Sequence, residues 1–519
     1  MSRSIFKKTS VVGLGTLASR ITGLLREMFY AHSFGASALM DAFLVAFKIP
    51  NFLRRLFAEG AFSQSFVPVI SEYRVQRSKD EVCELVDGVA GTLGLVVFVL
   101  SAIGVVAAPL IILLFAPGFT AEQGKYEMAV AMLRWTFPYL FFVSLTSLFA
   151  GVLNSYGRFA IPALTQVVMN CVLIGATIVA ATGSDNPGMT MSIGVFIAGS
   201  VQLVFQLPAV WRLGLLGVPR WRPAMDGVRR IGRLMLPGIL GSSAAQVSLL
   251  LDTLIASFLA TGSIAWLYYA DRLMEFPLGV FSIALATVIL PGLSAHHAAQ
   301  SREAFSHTLD WALRLTVLLA SPAAVGLLCF AGPLTATIFG YGKFNLTDMR
   351  MASYALMAYS WGLLGFSLVK VLAPGYYARQ DTKKPVRIAL TALGVTMGLN
   401  VLVVFPASRL GFPAPHVLLA TSTCIGAAIN TTLLWRGLRQ DGVFHPSKDW
   451  PVFLLRVIAA NLAMGIVLVL LAGDIEGWAV LPAMGRVLRC AIGIATGAGV
   501  YFATLYATGL RYRHLHSEI

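Results

Sequence analysis

The sequence predicts an all-α integral membrane protein of about fourteen transmembrane helices. Two pseudo-symmetric six-helix lobes are expected around a central cavity, with two further helices at the C-terminal end. Three observations lead to this prediction: an extremely apolar composition, an alternation of basic and non-basic loops, and an internal repeat. Together they indicate a duplicated membrane protein whose two halves share one orientation.

The composition requires a lipid environment. Of the 519 residues, 57% are hydrophobic and 12% are charged, and the mean hydropathy is +0.76. Soluble domains carry about 25% charged residues, so a soluble fold lacks the interior to bury this much apolar surface. Segments that cross lipid must be helical, because lipid offers no partner to backbone polar groups. The predicted spans are 10–33, 38–60, 87–115, 127–153, 161–182, 189–211, 232–260, 264–292, 308–339, 349–377, 386–407, 413–435, 451–473 and 485–509.

Basic residues concentrate in alternate loops. Arg74 and Arg77 lie in one such loop, whereas the loops His32–Ala38 and Gly183–Gly188 carry no Lys or Arg. Because cytoplasmic loops are rich in Lys and Arg, both termini are predicted to be cytoplasmic. The basic stretch Arg212–Arg233 is predicted to link the two halves. The expected organisation is an N-terminal lobe at 1–213, a cytoplasmic linker at 214–232, a C-terminal lobe at 233–440, and spans thirteen and fourteen with a cytoplasmic tail at 441–519.

An internal repeat relates the two halves at a constant spacing. Pro68 and Pro291 begin similar four-residue segments (291 − 68 = 223), and the same offset pairs Ser144 with Ser367 and Pro162 with Pro385. Six spans per repeat keep both copies in one orientation, as in transporters that work by rocking one lobe against the other. A duplicated membrane enzyme or scaffold is the alternative.

Other features give no sign of a different class. The net charge of +15 is explained by cytoplasmic loops, since no basic stretch carries a nucleic-acid recognition motif. The N-terminus imitates a signal peptide, but Arg20, Arg26 and Glu27 interrupt the apolar run, which predicts a retained first helix. The five cysteines show no metal or redox spacing and are interpreted as packing residues: Cys83, Cys171, Cys329, Cys424 and Cys490.

Charged residues within spans are the main functional signal. Each costs roughly 2.5–3.5 kcal/mol on insertion scales, and such residues usually mark a transport pathway. Arg20, Arg26, Arg54 and Arg272 come from spans one, two and eight, hence from both predicted lobes. Guanidinium groups bind phosphate oxygens bidentately, so arginines that converge in a cleft would suit a pyrophosphate. The alternative for any one of them is a structural ion pair or an interfacial anchor.

Four segments carry a recognisable pattern: Ser19–Arg26, Asp41–Gln64, Tyr268–Pro277 and Lys370–Asp381. In these segments, and over essentially its whole length, the sequence resembles the MurJ (MviN) family of lipid II flippases. That family belongs to the multidrug/oligosaccharidyl-lipid/polysaccharide exporter superfamily. The segment around Asn51–Gln64 is long and specific to the family.

The resemblance implies a function and a site. It implies transport of lipid II (undecaprenyl-pyrophosphoryl-MurNAc-pentapeptide-GlcNAc) from the cytoplasmic to the periplasmic leaflet of the bacterial inner membrane, for peptidoglycan synthesis. In the family, arginines matching Arg20, Arg26, Arg54 and Arg272 line the central cavity and are needed for function, as is an aspartate matching Asp41. The further residues expected to support the site are Ser19, Glu59, Glu275 and Lys370. Spans thirteen and fourteen form, in the family, a groove for the polyprenyl tail.

Cofactors and partners follow from the same resemblance. No catalytic residue or cofactor is expected, and the expected partners are lipid II, anionic phospholipid and cell-wall synthesis proteins, but no nucleic acid. Some relatives hold a sodium ion in the second lobe, and Asp252, Asn400 and Thr423 could supply oxygen ligands here. Sodium and the membrane potential both remain open as energy sources.

Other function classes fit the residues less well. A cation-coupled exporter of drugs or polysaccharide lipids would be expected to line its cavity with acidic residues, whereas arginine dominates here. A membrane enzyme would need a catalytic carboxylate or histidine cluster with a metal, and the eight histidines lie near predicted loops without metal spacing. A scaffold would not need buried arginines.

Overall fold

The computed structural model describes the chain at residues 3–55 and 61–510. Side chains are described for these residues apart from 3–12, 61, 64, 236–247, 249, 283, 284 and 287. Throughout the described residues the regular secondary structure is helical. Contacts divide the chain into two compact units, Met1–Gly262 and Ser263–Ile519.

Within the part that the structure describes, the first unit contains ten α-helices. Their starts are fixed by local signals: the Ser37 hydroxyl accepts a hydrogen bond from the Met40 amide, and Ser78 forms a reciprocal capping box with Glu81. A 3₁₀ helix at Pro117–Ala121 precedes the sixth α-helix. The helices are α1 Arg3–Phe34, α2 Ala38–Arg54, α3 Ala61–Gln76, α4 Lys79–Val106, α5 Ala108–Phe115, α6 Lys125–Thr136, α7 Tyr139–Ser155, α8 Ala160–Gly183, α9 Pro187–Trp211 and α10 Asp226–Ala256.

The described residues of the second unit form eleven further α-helices. Two of its spans are interrupted by π-helical turns, at Leu278–Ser282 directly after Pro277 and at Asn400–Val404. A proline removes a helical hydrogen bond, which accounts for the first interruption. The helices are α11 Ser263–Pro277, α12 Ile283–Ala298, α13 Arg302–Cys329, α14 Ala331–Ile338, α15 Leu346–Tyr377, α16 Lys383–Leu399, α17 Phe405–Arg409, α18 Pro415–Gln440, α19 Trp450–Ala472, α20 Ile475–Ala479 and α21 Ala483–Ala507.

Ten helices among the described residues are long and apolar enough to cross a membrane. They correspond to predicted spans three to six and nine to fourteen. The other four predicted spans are helical over most of their described length, but two of them contain short helices, α2 with 17 residues and α11 with 15. The all-helical membrane fold is therefore confirmed, while the count of fourteen spans stays a prediction.

The repeat appears in the helix order. Helices α1 and α10, α4 and α13, α5 and α14, and α8 and α16 begin at the offset of 223 residues found in the sequence. Helices α4 and α13 each have 28 residues, and α5 and α14 each have 8. The same break after a long helix thus occurs in both copies, which fits a duplication in one orientation.

Helix α10 packs within the first unit, against α2, α3, α4 and α5. By sequence it opens the second repeat, and the predicted lobe boundary lay near residue 232. The compact units therefore divide one helix later than the repeats do. A repeat reflects gene duplication, whereas a compact unit is defined by contacts, so the two boundaries need not coincide. The predicted lobe limits therefore stay a prediction.

The basic linker is fastened to α4. The Arg220 amide donates to the Asp87 carbonyl oxygen at 3.0 Å, and the Arg222 amide donates to Thr92 Oγ1 at 3.2 Å. A β-carbon at Gly91 would collide with the backbone of Arg220, so only glycine permits this approach. The linker is therefore a docked segment of the first unit.

Each unit has an apolar core at the end that carries the basic loops. In the first unit it joins α3, α4, α7 and α9, with Phe62, Phe66 and Leu148 buried; in the second it joins α12, α13, α15 and α18, with Phe305 and Tyr376 buried. These clusters hold the listed helices of each unit against one another.

Candidate functional site

Arg26, in the C-terminal half of α1, is almost completely buried, with 8% of its surface exposed. Its Nη1 donates a 3.0 Å hydrogen bond to Oδ1 of Asn170 on α8, and its Nη2 forms an ion pair with Glu27. The guanidinium also lies over the ring of Tyr30, 5.6 Å from its centroid. A buried arginine in a membrane helix is energetically expensive, which makes this a candidate functional position.

Arg54 adds a second positive charge to this region. It ends α2, is half-buried, and donates from Nε to Asn51 Oδ1 at 3.1 Å. The charges of Arg26 and Arg54 interact electrostatically, and both act on the hydroxyl of buried Tyr139 on α7.

Arg20 and Ser19 lie on the same helix as Arg26. Arg20 is half-buried, and within the described residues it makes no hydrogen bond or ion pair. The Ser19 carbonyl oxygen accepts hydrogen bonds from Asn170 Nδ2 and Thr22 Oγ1, both at 3.2 Å. The predicted supporting residue Glu59 lies outside the described residues.

Asp41 occupies a different environment from the arginines. It lies in the first turn of α2, about 20 Å along the helix from Arg54 at 1.5 Å per residue. Its Oδ2 accepts from Lys125 Nζ at 3.1 Å and from the Gly262 amide at 2.8 Å, and the side chains of Asp41 and Lys125 are 2% and 4% exposed. Gly262 has φ 94°, a conformation that favours glycine.

Two more residues extend this ion pair into a network. Lys125 Nζ also contacts Glu122 Oε2 at 3.0 Å and Thr261 Oγ1 at 3.0 Å, and Thr261 donates to Glu122 at 2.5 Å. Burial raises the pKa of Glu122, but the hydrogen bonds from Thr261 and Lys125 outweigh it and lower that pKa overall. We call Asp41, Glu122, Lys125, Thr261 and Gly262 the loop latch, because they join the start of α2, the segment at the start of α6 and the loop after α10.

The same end of α10 makes further polar contacts with the first repeat. Lys48 Nζ donates to Thr253 Oγ1 at 2.6 Å, and the Gly118 amide donates to Ser257 Oγ at 3.1 Å. With the loop latch, these contacts bind the C-terminal part of α10 and the loop after it to the helices that precede it.

Arg272 lies in the second unit, on α11. Its Nη1 forms an ion pair with Glu275 Oε2 at 2.8 Å, and its Nη2 lies 3.4 Å from Asp271 Oδ2. The guanidinium also covers the ring of Tyr268 at 5.2 Å. The carboxylate of Glu275, one of the predicted supporting residues, is thus a direct partner of Arg272.

The remaining predicted residues belong to different helices. Lys370 is exposed on α15. Of the predicted sodium ligands, Asp252 is half-buried on α10 in the first unit, while buried Asn400 and Thr423 belong to the second. The Thr423 hydroxyl donates to the Leu419 carbonyl of its own helix. Across the described residues, no cluster of three or more His, Cys, Asp or Glu could hold a metal ion.

Sequence reasoning missed two residues of this region. Asn170 is a neutral polar residue in an apolar span that also contains Gln166 and several threonines, so the sequence gives no indication of its partner. By the predicted span limits Lys125 lies in the loop 116–126, yet it begins α6 and is buried against Asp41. The one available signal was that Lys125 is the only Lys or Arg in that loop, which is predicted to be non-cytoplasmic.

Comparisons with known proteins agree on one family. A family model described as "Lipid II flippase MurJ" matches residues 30–485. A probable lipid II flippase MurJ of Haemophilus influenzae is 43% identical, over 96% of this chain and 99% of the relative. A lipid II flippase MurJ of Burkholderia cenocepacia is 39% identical, over 98% and 99%.

Solved structures show the same pattern. A lipid II flippase MurJ in an inward closed conformation superposes with a TM-score of 0.78 and 26% identity, covering 97% of this chain and 99% of that one. An inward-facing multidrug transporter of the MATE family superposes with a TM-score of 0.66 and 14% identity, covering 85% and 99%. At 14% identity the second likeness concerns the fold alone.

Proposed function

The chain belongs to the MurJ family of lipid II flippases, and we propose that its buried arginines hold the pyrophosphate of lipid II while the lipid crosses the membrane. It is a multi-pass protein of the bacterial inner membrane that supplies peptidoglycan synthesis. Family membership implies a transporter rather than an enzyme. The exporter alternative is not favoured, since likeness to drug exporters stops at the fold.

One observation carries the arginine proposal: the guanidinium groups of Arg26 and Arg54 lie in the same unit, close enough for their charges to interact. A diphosphate bound between them would relieve the repulsion between the guanidinium groups. Each planar guanidinium can also bind two phosphate oxygens at once. Half-buried Arg20 supplies a third candidate donor on α1.

The loop latch supports a second role for Asp41. A transporter that alternates between two open states needs contacts that hold one side closed and then release. Asp41 and Lys125 are buried against each other, and Gly262 and Thr261 extend the contact to the loop after α10. We propose that Asp41 acts through this latch, on the side predicted to be periplasmic, rather than through contact with pyrophosphate.

The C-terminal helices suit the polyprenyl tail. Helices α19 and α21 pack against each other and expose long apolar side chains, among them Leu462, Ile466, Leu470, Leu488 and Ile492. Such a surface would accommodate an isoprenoid chain in the hydrocarbon region. Anionic phospholipids and cell-wall synthesis proteins remain proposed further partners.

Translocation in liposomes tests the function directly. Reconstituted protein should move lipid II between leaflets, and undecaprenyl pyrophosphate should compete better than undecaprenyl monophosphate, because the second phosphate adds oxygens for the arginines. Equal competition by both lipids would contradict pyrophosphate binding.

The same assay tests the energy source when it is repeated with and without sodium and membrane potential. Asp252→Asn is the sodium probe, and an unchanged sodium response in that variant would remove Asp252 from the proposed coupling.

Topology has a separate test. We propose that both termini and the 214–232 linker are cytoplasmic, since the basic loops alternate along the chain. A reporter active only in the periplasm should give no signal when fused to Ile519 and a strong signal when inserted in the loop Gly183–Gly188. The reverse pattern would invert the proposed orientation.

Substitutions of Arg272 distinguish bidentate hydrogen bonding to pyrophosphate from simple neutralisation of nearby carboxylates. If its fork of donors binds pyrophosphate, Arg272→Ala should abolish translocation and Arg272→Lys should leave it severely reduced, both at normal protein abundance. If Arg272 only neutralises Asp271 and Glu275, which it contacts here, lysine should substitute well and alanine should mainly lower the amount of folded protein. Translocation per folded molecule separates the two, and full activity of Arg272→Lys would exclude bidentate binding at this residue.

A further inference from the structure

We propose that Asn170 of α8 is a positioning residue for transport, which holds the guanidinium of Arg26 in its binding orientation while leaving its charge available to the substrate. This inference rests on the proposed role of Arg26. Asn170 is 2% exposed, and its contacts connect α8 to the stretch of α1 that carries Ser19, Arg20 and Arg26.

The amide of Asn170 uses both of its ends. Its Oδ1 accepts from Arg26 Nη1 at 3.0 Å, while its Nδ2 donates to the Ser19 carbonyl oxygen at 3.2 Å and to Thr22 Oγ1 at 3.1 Å. Acceptors on one side and a donor on the other fix which way the amide points. The side chain is thereby held in one orientation, and so is the acceptor that it presents to Arg26.

The α1 side of the contact is held in turn by its own helix. The Thr22 hydroxyl donates to the carbonyl oxygens of Ala18 and Ser19 at 2.8 and 3.2 Å, so the Ser19 carbonyl receives hydrogen bonds from both Thr22 and Asn170. Hydroxyl bonds of this kind back to the preceding turn commonly bend helices. Asn170 therefore fixes a local turn of α1 as well as the arginine one to two turns later.

An amide is suited to this task because it is neutral. Arg26 already has Glu27 as an anionic partner, and a second carboxylate would give the group a net negative charge that repels a diphosphate. A carbonyl oxygen directs an N–H group without cancelling the charge that must attract a diphosphate. The prediction is therefore specific: aspartate, which has nearly the same shape, should fail at this position.

The experiment measures apparent affinity for lipid II per folded molecule, in nanodiscs containing the full chain. Asn170→Ala should weaken it about ten-fold, the size expected for losing a hydrogen bond to a charged group. Asn170→Asp should weaken it further. With Arg26→Ala already present, Asn170→Ala should have no additional effect, because the two residues act as one unit.

Thr177 provides the matched control on the same helix. It lies two turns further along α8 and is completely buried, and among the described residues its hydroxyl bonds only to the Leu173 carbonyl in its own helix. Thr177→Val should leave the affinity unchanged. If Asn170→Ala lowers the folded amount but not the affinity, or if its effect persists in Arg26→Ala, the positioning role is excluded. Normal affinity in Arg26→Ala alone would instead overturn the proposed function of the arginine.

Discussion

Arg26→Ala is expected to reduce lipid II translocation per folded molecule by at least about 100-fold. Hydrogen bonds to charged groups contribute about 1.5–3 kcal/mol each, and a guanidinium can direct two of them at one diphosphate. Arg26→Lys should restore little, since one ammonium on a flexible chain cannot reproduce the planar contacts to Asn170 and Glu27. The measurement is leaflet transfer of lipid II in liposomes, normalised to folded protein.

A second substitution separates transport from stability. Arg26→Ala leaves Glu27 as a buried carboxylate without its cation, and breaking a buried pair in this way costs about 3–5 kcal/mol. Adding Glu27→Gln should therefore recover the folded amount of the Arg26→Ala variant but not its transport. If the double variant transports normally, Arg26 serves only to neutralise Glu27.

Breaking the Asp41–Lys125 pair should have the next largest effect. Lys125→Met removes the cation that Asp41 and Glu122 share. Asp41→Asn removes one of the two carboxylates that pair with Lys125, and Glu122 still pairs with it. We therefore expect the lysine variant to lose more folded protein. In the neutral double variant Asp41→Asn/Lys125→Met, folding should recover while translocation stays at least about ten-fold low. Normal translocation by that double variant would remove the loop latch from the transport cycle.

Cross-linking tests whether the loop latch must open. In a chain whose native cysteines are replaced, cysteines at Glu122 and Thr261 should be joined by a short bifunctional thiol reagent, because these side chains meet at 2.5 Å. Transport should stop on linking and return when the link is cleaved. Cysteines at Thr120 and Glu122, both in one loop, are the matched control; linking them should leave transport unchanged. Continued transport by the linked 122–261 variant would show that this contact need not separate.

The comparison of sequence with structure has a physical pattern. Predicted spans five and six, 161–182 and 189–211, differ from α8 and α9 by only one or two residues, because hydrophobic length and proline or asparagine caps are local properties. The break between α4 and α5 at Ala107 was not predicted, although Pro109 in the first turn of α5 is a local signal for it.

The candidate site, like the fold, could be predicted only in part from the sequence. Arg26 and Arg54 could be selected from sequence because a charge in an apolar span is costly wherever it points. Their partners could not: Asn170 is 144 residues from Arg26, and nothing local connects them. Asp41 was grouped with the arginines by resemblance, whereas its contacts in this structure are with Lys125 and Gly262.

The docked linker holds the N-terminal end of α10 in place. This end continues from a segment fastened to α4 at Asp87 and Thr92, so it has little slack. Helix α10 has 31 residues and is therefore about 46 Å long, and a tilt of about 10° would carry its far end about 8 Å. Hydrogen bonds do not stretch beyond about 3.5 Å, so the contacts at Ser257, Thr261 and Gly262 would all fail within one small swing. With one end held and several short-range contacts at the other, a tilt of α10 of this size would break all of these contacts together.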